Sequence, residues 1–570
     1  MTHFQQSPPE LGNQYDDDRV LRQYLKRVLP REVIGDIEAE MRSMGALSGG
    51  RLYQMHLDEL GEEPRFTRWS AWGERIDEIE VTPVWKEAER LAAEYGLIAA
   101  AYEQEHGRWS RVHQFALAYL FIPSTDIYGC PLAMTDGAAR TLIDHGNQAL
   151  IDRAVPHLTS RDPQTFWTSG QWMTELAGGS DVGRSKTTAR QDADGTWRLT
   201  GRKWFTSAIT ANMALALARP EGNPAGGKGL ALFFVPIRTD DGAIRDGIRV
   251  NRLKDKLGTR KLPTAELDLD GAKALPVGDL QHGTRAISPM LNITRTWNAV
   301  TALAYMRRGL ALARDYARKR DAFGAPLAEQ PLHADTLANL QSTFEGAFHL
   351  GFRLTELLGQ HETGLLDDEG RALLRLLTPI GKLTTGKQVV SMMSEVVEAF
   401  GGAGYVEDTG IPVLLRDAQV LSIWEGTTNV LSLDLLRALR KTGGLAPIKA
   451  EIERCADAAT YADLPEIVQI AQNAVDRAEQ WLGRTMERDP SAVEAGARRL
   501  TLTLGHALEL ALLARQAQWS REHTGDSRPL AAAQRLATHR IDHIAMPSTE
   551  AAFALANDTP LGEERPVPSS

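Results

Sequence analysis

Glu425 is the single acid in Ile423-Trp424-Glu425-Gly426-Thr427-Thr428-Asn429, between an indole and a helix start predicted to run on to Leu439. A carboxylate flanked by aromatic and aliphatic side chains suits general-base chemistry, because partial desolvation raises its affinity for a proton. The same residues also suit a purely structural role. Thr427 or Thr428 can cap the helix, with Glu425 as a favourable charge near its positive end. Upstream lies Phe400-Gly401-Gly402-Ala403-Gly404-Tyr405, closing a long amphipathic segment.

Three more segments carry chemistry. Gln171-Trp172-Met173-Thr174-Glu175-Leu176-Ala177-Gly178-Gly179-Ser180 reads as a strand running into a glycine-rich turn. Gly201-Arg202-Lys203-Trp204-Phe205-Thr206-Ser207 and Arg320-Asp321-Ala322-Phe323-Gly324, followed by Gln330, are the others. Trp204 offers a stacking face and Thr174 and Thr206 offer hydroxyls, so the first two segments can wall a flat heteroaromatic ring. Gly178, Gly179 and Ser180 let backbone N–H groups approach a phosphate. A buried strand tryptophan and an ordinary turn explain the same residues without a ligand. Gly222-Asn-Pro-Ala-Gly-Gly-Lys228-Gly229 imitates a phosphate loop, but Gly229 stands where a Ser/Thr is needed and a strand follows, so a hairpin loop is predicted. The histidines form no metal-binding pattern.

The elements that must position these residues fall into blocks. Residues 1–165 read as a helical domain, with Val20, Leu21, Tyr24, Leu25 and Val28 on one face behind Asp16-Asp17-Asp18. Residues 166–284 break into short β-rich runs with Asp194-Gly195 as a hairpin turn, which predicts an antiparallel barrel or sandwich. The helical period returns over 285–440. An additional helical domain is predicted over 441–557, with Leu500, Leu504, Leu508 and Leu512 as its spine and a linker at Lys441-Thr-Gly-Gly-Leu-Ala-Pro. The Pro- and Glu-rich tail 558–570 is predicted disordered.

With 570 residues, several cores are expected. No apolar run reaches bilayer length and the N-terminus lacks a secretory pattern, so no membrane association and a cytoplasmic location are expected. Two distant cysteines, Cys130 and Cys455, exclude a disulfide framework. The net charge of −10 argues against bulk attraction to nucleic acid.

In order and spacing the five segments resemble the acyl-CoA dehydrogenase family of flavoproteins, over roughly Tyr15 to Leu439. The resemblance implies an α+β fold: an N-terminal α-helical domain, a central antiparallel β-barrel and a C-terminal four-helix bundle, assembled as a homotetramer around FAD. It assigns cofactor contacts to Gln171, Met173, Thr174, Gly179, Ser180, Trp204 and Thr206. Arg320, Phe323 and Gln330 match the stretch that reaches a neighbouring subunit's FAD, although the family pattern has one more residue before the glutamine. Gly401, Gly402, Thr427 and Asn429 complete that set, and Glu425 falls on the family's usual base. Some members carry the base just before an arginine on an earlier helix. Here that position is Thr294, before Arg295, so Glu425 has no competitor. The implied reaction takes the α-proton of an acyl-CoA to Glu425 and its β-hydride to flavin N5, with the Glu425 N–H and a ribityl hydroxyl polarising the carbonyl. An electron-accepting flavoprotein or oxygen is the implied electron acceptor.

The C-terminal extension, Arg252-Leu-Lys-Asp-Lys-Leu-Gly258, Met306-Arg307-Arg308 and Trp424 look closer to the adaptive-response alkylation-protection branch typified by AidB. That branch implies an alternative: a flavin-containing protein that binds duplex DNA through the extension and turns over weakly. Residues 441–570 carry 14 Lys+Arg against 18 Asp+Glu, an acidic balance that argues against a DNA channel there. The Arg307-Arg308, Arg314 and Arg318-Lys319-Arg320 run is expected to form a cofactor-proximal and intersubunit surface.

Overall fold

A computed structural model describes residues 5–561 of the chain. Most of the tail predicted disordered, residues 562–570, and residues 1–4 lie outside the described residues. Two compact units divide the chain: described residues up to 367 with 385–427, and 368–384 with the described residues from 428 onward.

The first unit opens with α1 (Arg19–Val28), α2 (Arg31–Gly49) and α3 (Arg51–Asp58). Asp18 caps α1, its carboxylate accepting from the Leu21 N–H at 2.9 Å, and Val20, Leu21, Tyr24 and Leu25 are buried along one face. A hairpin of β1 (Arg65–Trp69) and β2 (Arg75–Glu80) then interrupts the region expected to be wholly helical. Its residues are mostly exposed, so only strand alternation and the Gly73 turn (φ +84°) signal it. Asp77 accepts from the Val250 N–H at 2.9 Å, which ties the hairpin to the barrel. Next come α4 (Pro83–Glu94), α5 (Ala99–Glu103), α6 (Ser110–Phe121), α7 (Gly129–His145) and α8 (Gln148–Leu158). A break at Gly96 (φ +57°) separates α4 from α5.

The central strands are β3 (Ser169–Trp172), β4 (Thr188–Gln191), β5 (Trp197–Ser207), β6 (Met213–Pro220), β7 (Ala231–Pro236), β8 (Ile248–Leu253) and β9 (Thr264–Pro276). The order β4-β5-β9-β7-β6 closes on itself because β6 pairs with β4; β3 joins β6 and β8 flanks β9. Two pairings, β3–β6 and β4–β6, are parallel, whereas the sequence led us to expect an antiparallel barrel throughout. Parallel neighbours need long crossovers, which intervening strands provide here. In β6, Ala214, Ala216 and Ala218 fill the barrel interior while Met213, Leu215 and Leu217 pack into the helical core. Burial on both faces explains its unbroken apolar run. The Asp194-Gly195 turn joins β4 to β5, with Gly195 at φ +85°, and the false phosphate loop is the β6–β7 connection, held by Arg219 on the Gly226 carbonyl at 3.0 Å.

Helices follow: the single turn α9 (Gly283–Ala286), α10 (Ser288–Lys319), the two-residue strands β10 (Asp321–Ala322) and β11 (Ala325–Pro326), α11 (Pro331–Glu362), α12 (Asp368–Ala399), α13 (Ile411–Val420) and α14 (Thr428–Thr442). α10 is buried on nearly every side from Ile293 to Leu310, as a helix must be when others surround it. No described helix is long and apolar enough to cross a membrane.

The second unit contains α14 with α15 (Ala446–Ala458), α16 (Leu464–Arg488), α17 (Pro490–Thr524), α18 (Arg528–Ala537) and α19 (Thr549–Ala556). The predicted spine Leu500, Leu504, Leu508 and Leu512 is buried. At Gly496, a Cβ would lie 2.3 Å from the Trp481 ring, so glycine sets how closely α17 approaches α16. The expected linker is a tight turn of Gly443 (φ +74°) and Gly444 (φ +100°).

Candidate active site

Glu425 sits in the loop between α13 and α14, half-buried, with a left-handed backbone (φ +56°) followed by Gly426 at φ +106°. A non-glycine residue in that region is held there by its surroundings. One face of α10 supplies them. The Thr294 hydroxyl donates to Glu425 Oε2 at 2.7 Å, and Arg295 Nε donates to the Glu425 carbonyl at 3.2 Å. One turn on, Asn298 Nδ2 donates to the Leu421 carbonyl at 3.0 Å, and its Oδ1 accepts from the Trp424 indole N–H. Thr294, the position where some relatives place the base, is here a donor to the carboxylate.

The Cys130 thiol, at the start of α7, is pushed up to about 12, first by burial and also by the negative charge of Glu425; Lys256 and a hydrogen bond with Ser207 oppose this. Ser207 is the last residue of β5, next to Thr206. Burial pushes Lys256 down to about 8, and it donates to the Leu262 carbonyl and, at 3.0 Å, to Thr264 Oγ1. Sequence reasoning missed Asn298, which has no motif and acts through Leu421 and Trp424, more than a hundred residues later; Lys256 and Ser207 lie inside the quoted segments but carried no assigned role.

The predicted cofactor residues fall in several places. The Trp204 N–H donates to the Thr174 carbonyl at 2.9 Å, which brings the two strand segments together. Lys254 Nζ lies 3.8 Å from the Trp204 ring centroid, held on Glu266 at 2.7 Å, so an ammonium covers part of the indole. Thr206 is buried and its hydroxyl donates to the Ala265 carbonyl at 2.7 Å. Gln171 Nε2 reaches Met173 Sδ at 3.1 Å, while Gln171 Oε1 is buried with no partner among the described residues. In the following turn a Cβ at Gly178 would meet the Asp181 carbonyl at 2.5 Å, and Gly179 and Ser180 are exposed. An orphaned acceptor beside an open glycine turn fits a heteroaromatic ring bearing N–H groups and a phosphate. Phe323 is at the tip of the β10–β11 hairpin and fully exposed, Arg320 precedes the hairpin, and Gln330 beyond it donates through Nε2 to the Ala322 carbonyl at 3.0 Å. Gly401 and Gly402 form an exposed turn after α12, Gly401 at φ +59°. Thr427 precedes α14; Asn429 lies in its first turn, in the second unit.

The Arg307-Arg308 pair departs from expectation. Both side chains are buried inside the first unit, so neither forms a cofactor-proximal or intersubunit surface. Arg307 is paired with the α1 cap Asp18 at 3.1 Å.

The sequence matches the acyl-CoA dehydrogenase middle domain over residues 170–272 and the acyl-CoA dehydrogenase C-terminal domain over 281–440; residues 5–163 match the adaptive response protein AidB N-terminal domain. Acyl-CoA dehydrogenase family member 11 of Caenorhabditis elegans is 47% identical over 443 residues, 76% of this chain and 72% of that protein. The chain belongs to the acyl-CoA dehydrogenase family. It is an oxidoreductase of that family carrying an AidB-type N-terminal domain. The putative acyl-CoA dehydrogenase AidB of Escherichia coli is 32% identical over 74% of this chain and 76% of its own length. The crystal structure of Caenorhabditis elegans ACDH-11 in complex with C11-CoA superposes with a TM-score of 0.93 at 39% identity, covering 98% of this chain and 97% of that one.

Proposed function

We propose that this acyl-CoA dehydrogenase oxidises the Cα–Cβ bond of an acyl-CoA to the 2,3-unsaturated thioester, with Glu425 as the base. The observation that carries the reading is the carboxylate itself: half-buried, oriented by Thr294, and set on a backbone fixed by Arg295. In a proton abstraction α to a carbonyl, the base must be held within reach of a weakly acidic C–H, and such orientation is most of what a protein contributes. FAD, when bound, supplies the acceptor for the β-hydride. Gln171, Met173, Thr174, Gly179, Ser180, Trp204 and Thr206 would hold it from the barrel side, Gln171 Oε1 offering an acceptor to a ring N–H. Gly401, Gly402 and Thr427 would hold it from the helical side. Within the same reading the exposed Phe323, with Arg320 and Gln330, reaches the cofactor of another subunit in a homotetramer, and an electron-accepting flavoprotein or oxygen reoxidises the enzyme. The relative bound to C11-CoA makes C11-CoA the first substrate to try.

The extension supports enzyme over DNA binding. Arg477 is paired with Asp542 at 3.0 Å, Arg454 with Glu451 at 2.7 Å, and Lys449 with both Asp476 and Glu479 at 2.9 Å. Cations already paired with carboxylates have little to offer a phosphate backbone.

The test is anaerobic mixing of FAD-loaded protein with C11-CoA, for the unaltered chain and for Glu425→Gln. Glutamine keeps the size and an oxygen for the Thr294 hydroxyl but cannot take the proton. Flavin bleaching is expected to slow by about 10²–10⁴-fold with FAD retained. Bleaching at the original rate by the variant refutes the assignment.

A further inference from the structure

The geometry points to a buried site for one small monovalent anion, of the halide class, between Arg307 and Arg308 on α10. The two arginines line a small cavity of about 10 Å³, together with Gln14, Ser48, Tyr119 and Pro123. That is room for one water-sized particle. Arg307 Nη1 and Arg308 Nε are both buried and have no hydrogen-bond partner among the described residues. Arg307 is 7% exposed and Arg308 2%, so neither N–H can turn to solvent.

Charge is also unbalanced. Asp18 is the carboxylate of the cluster, and its Oδ2 already accepts from Arg307 Nε at 3.1 Å and from the Tyr119 hydroxyl at 2.6 Å. Arg307 Nη2 donates to the Asp17 carbonyl at 3.0 Å. Among the described residues Arg308 donates only to neutral oxygens: Ser124 Oγ at 2.8 Å, Ser48 O at 3.2 Å and Oγ at 3.1 Å, and Pro123 O at 3.4 Å. Tyr53 places its ring 5.1 Å from the guanidinium carbon. Burial pushes Arg308 down to about 10, with Arg307 adding repulsion. Two guanidinium groups thus share one carboxylate in the interior, and a buried charge without a counter-charge is costly. A water molecule satisfies N–H groups but leaves that charge in place; a halide does both. The cavity is separate from the candidate active site, since Arg307 follows Arg295 by twelve residues, about 18 Å along the helix. An anion there would join α10 to the Asp18 cap of α1 and to Ser48 at the end of α2.

Two measurements decide it. Crystals of the full chain grown in sodium bromide are expected to give an anomalous peak between Arg307 Nη1 and Arg308 Nε; density there without anomalous signal identifies water and overturns the proposal. In solution, the melting midpoint in chloride is compared with gluconate at constant ionic strength. A rise of roughly 1–2 °C per tenfold increase in chloride above half-saturation is expected for a unit of this size. Arg308→Gln should abolish that dependence, and a variant that keeps it also overturns the site. Should that variant not fold, the bromide data on the unaltered protein still distinguish anion from water.

Discussion

Replacing Asn298 by alanine tests how the candidate base is held without touching the base. The side chain makes two bonds to the Glu425 loop, donating to the buried Leu421 carbonyl at 3.0 Å and accepting from the Trp424 indole. Its loss orphans a carbonyl and an N–H, each worth about 1–3 kcal/mol when buried. Trp424 is half-buried and can recruit water, so a total of about 2–4 kcal/mol is expected. Because the chain has two compact units, global unfolding is a poor readout. Hydrogen exchange of peptides spanning residues 411–427 reads the local opening free energy directly. Displacing Glu425 by about 1 Å should also lower the flavin-reduction rate by roughly 10²-fold. Trp424→Phe completes a double-mutant cycle: once Asn298 is gone, removing the indole N–H should cost little more, giving a coupling of about 1–2 kcal/mol. Additive costs in that cycle, or unchanged flavin reduction by Asn298→Ala, would falsify the claim that this staple positions the base.

Two other perturbations address stability. Lys203 is fully buried and donates to Glu175 Oε1 at 2.7 Å and to the Leu217 carbonyl at 2.7 Å. Burial pushes the Glu175 carboxyl up, but Lys203 and the Thr187 and Lys186 hydrogen bonds together hold it below its ordinary range. Lys203→Met should therefore cost about 3–5 kcal/mol by leaving the buried Glu175 charge without its cation, with Lys203→Met/Glu175→Gln, which keeps an acceptor for the Lys186 and Thr187 donors, recovering part of it in thermal melts. In the second unit, burial and the adjacent His543 push His506 down to about 4, with the two ring nitrogens 3.0 Å apart. An unfolded histidine titrates near 6.5, so its contribution is complete above that pH and is lost as pH falls toward 4. The unit should lose roughly 3 kcal/mol over that window, and His506→Phe should flatten the loss in pH-dependent hydrogen exchange of α17.

Much of the molecule was determined locally by the sequence. The α1 cap at Asp18, the Asp194-Gly195 hairpin, the leucine spine of α17 and the order helix–strand–helix follow from periodicity and turn chemistry, which act over a few residues. The segments carrying Gln171, Trp204, Arg320, Gly401 and Glu425 were legible for the same reason, as short runs of distinctive residue types. What those residues touch was not. The parallel pairings of β6, the docking of the β1–β2 hairpin on Val250, and the burial of Arg307 and Arg308 depend on partners distant in the chain, many of them a hundred or more residues away. Thr294 changes meaning most: as a sequence position it is merely where a base is absent, and in the fold its hydroxyl donates to the Glu425 carboxylate 131 residues later. Hydrogen bonds and charge compensation are decided by three-dimensional proximity, and one chain position carries no record of which distant group it will meet.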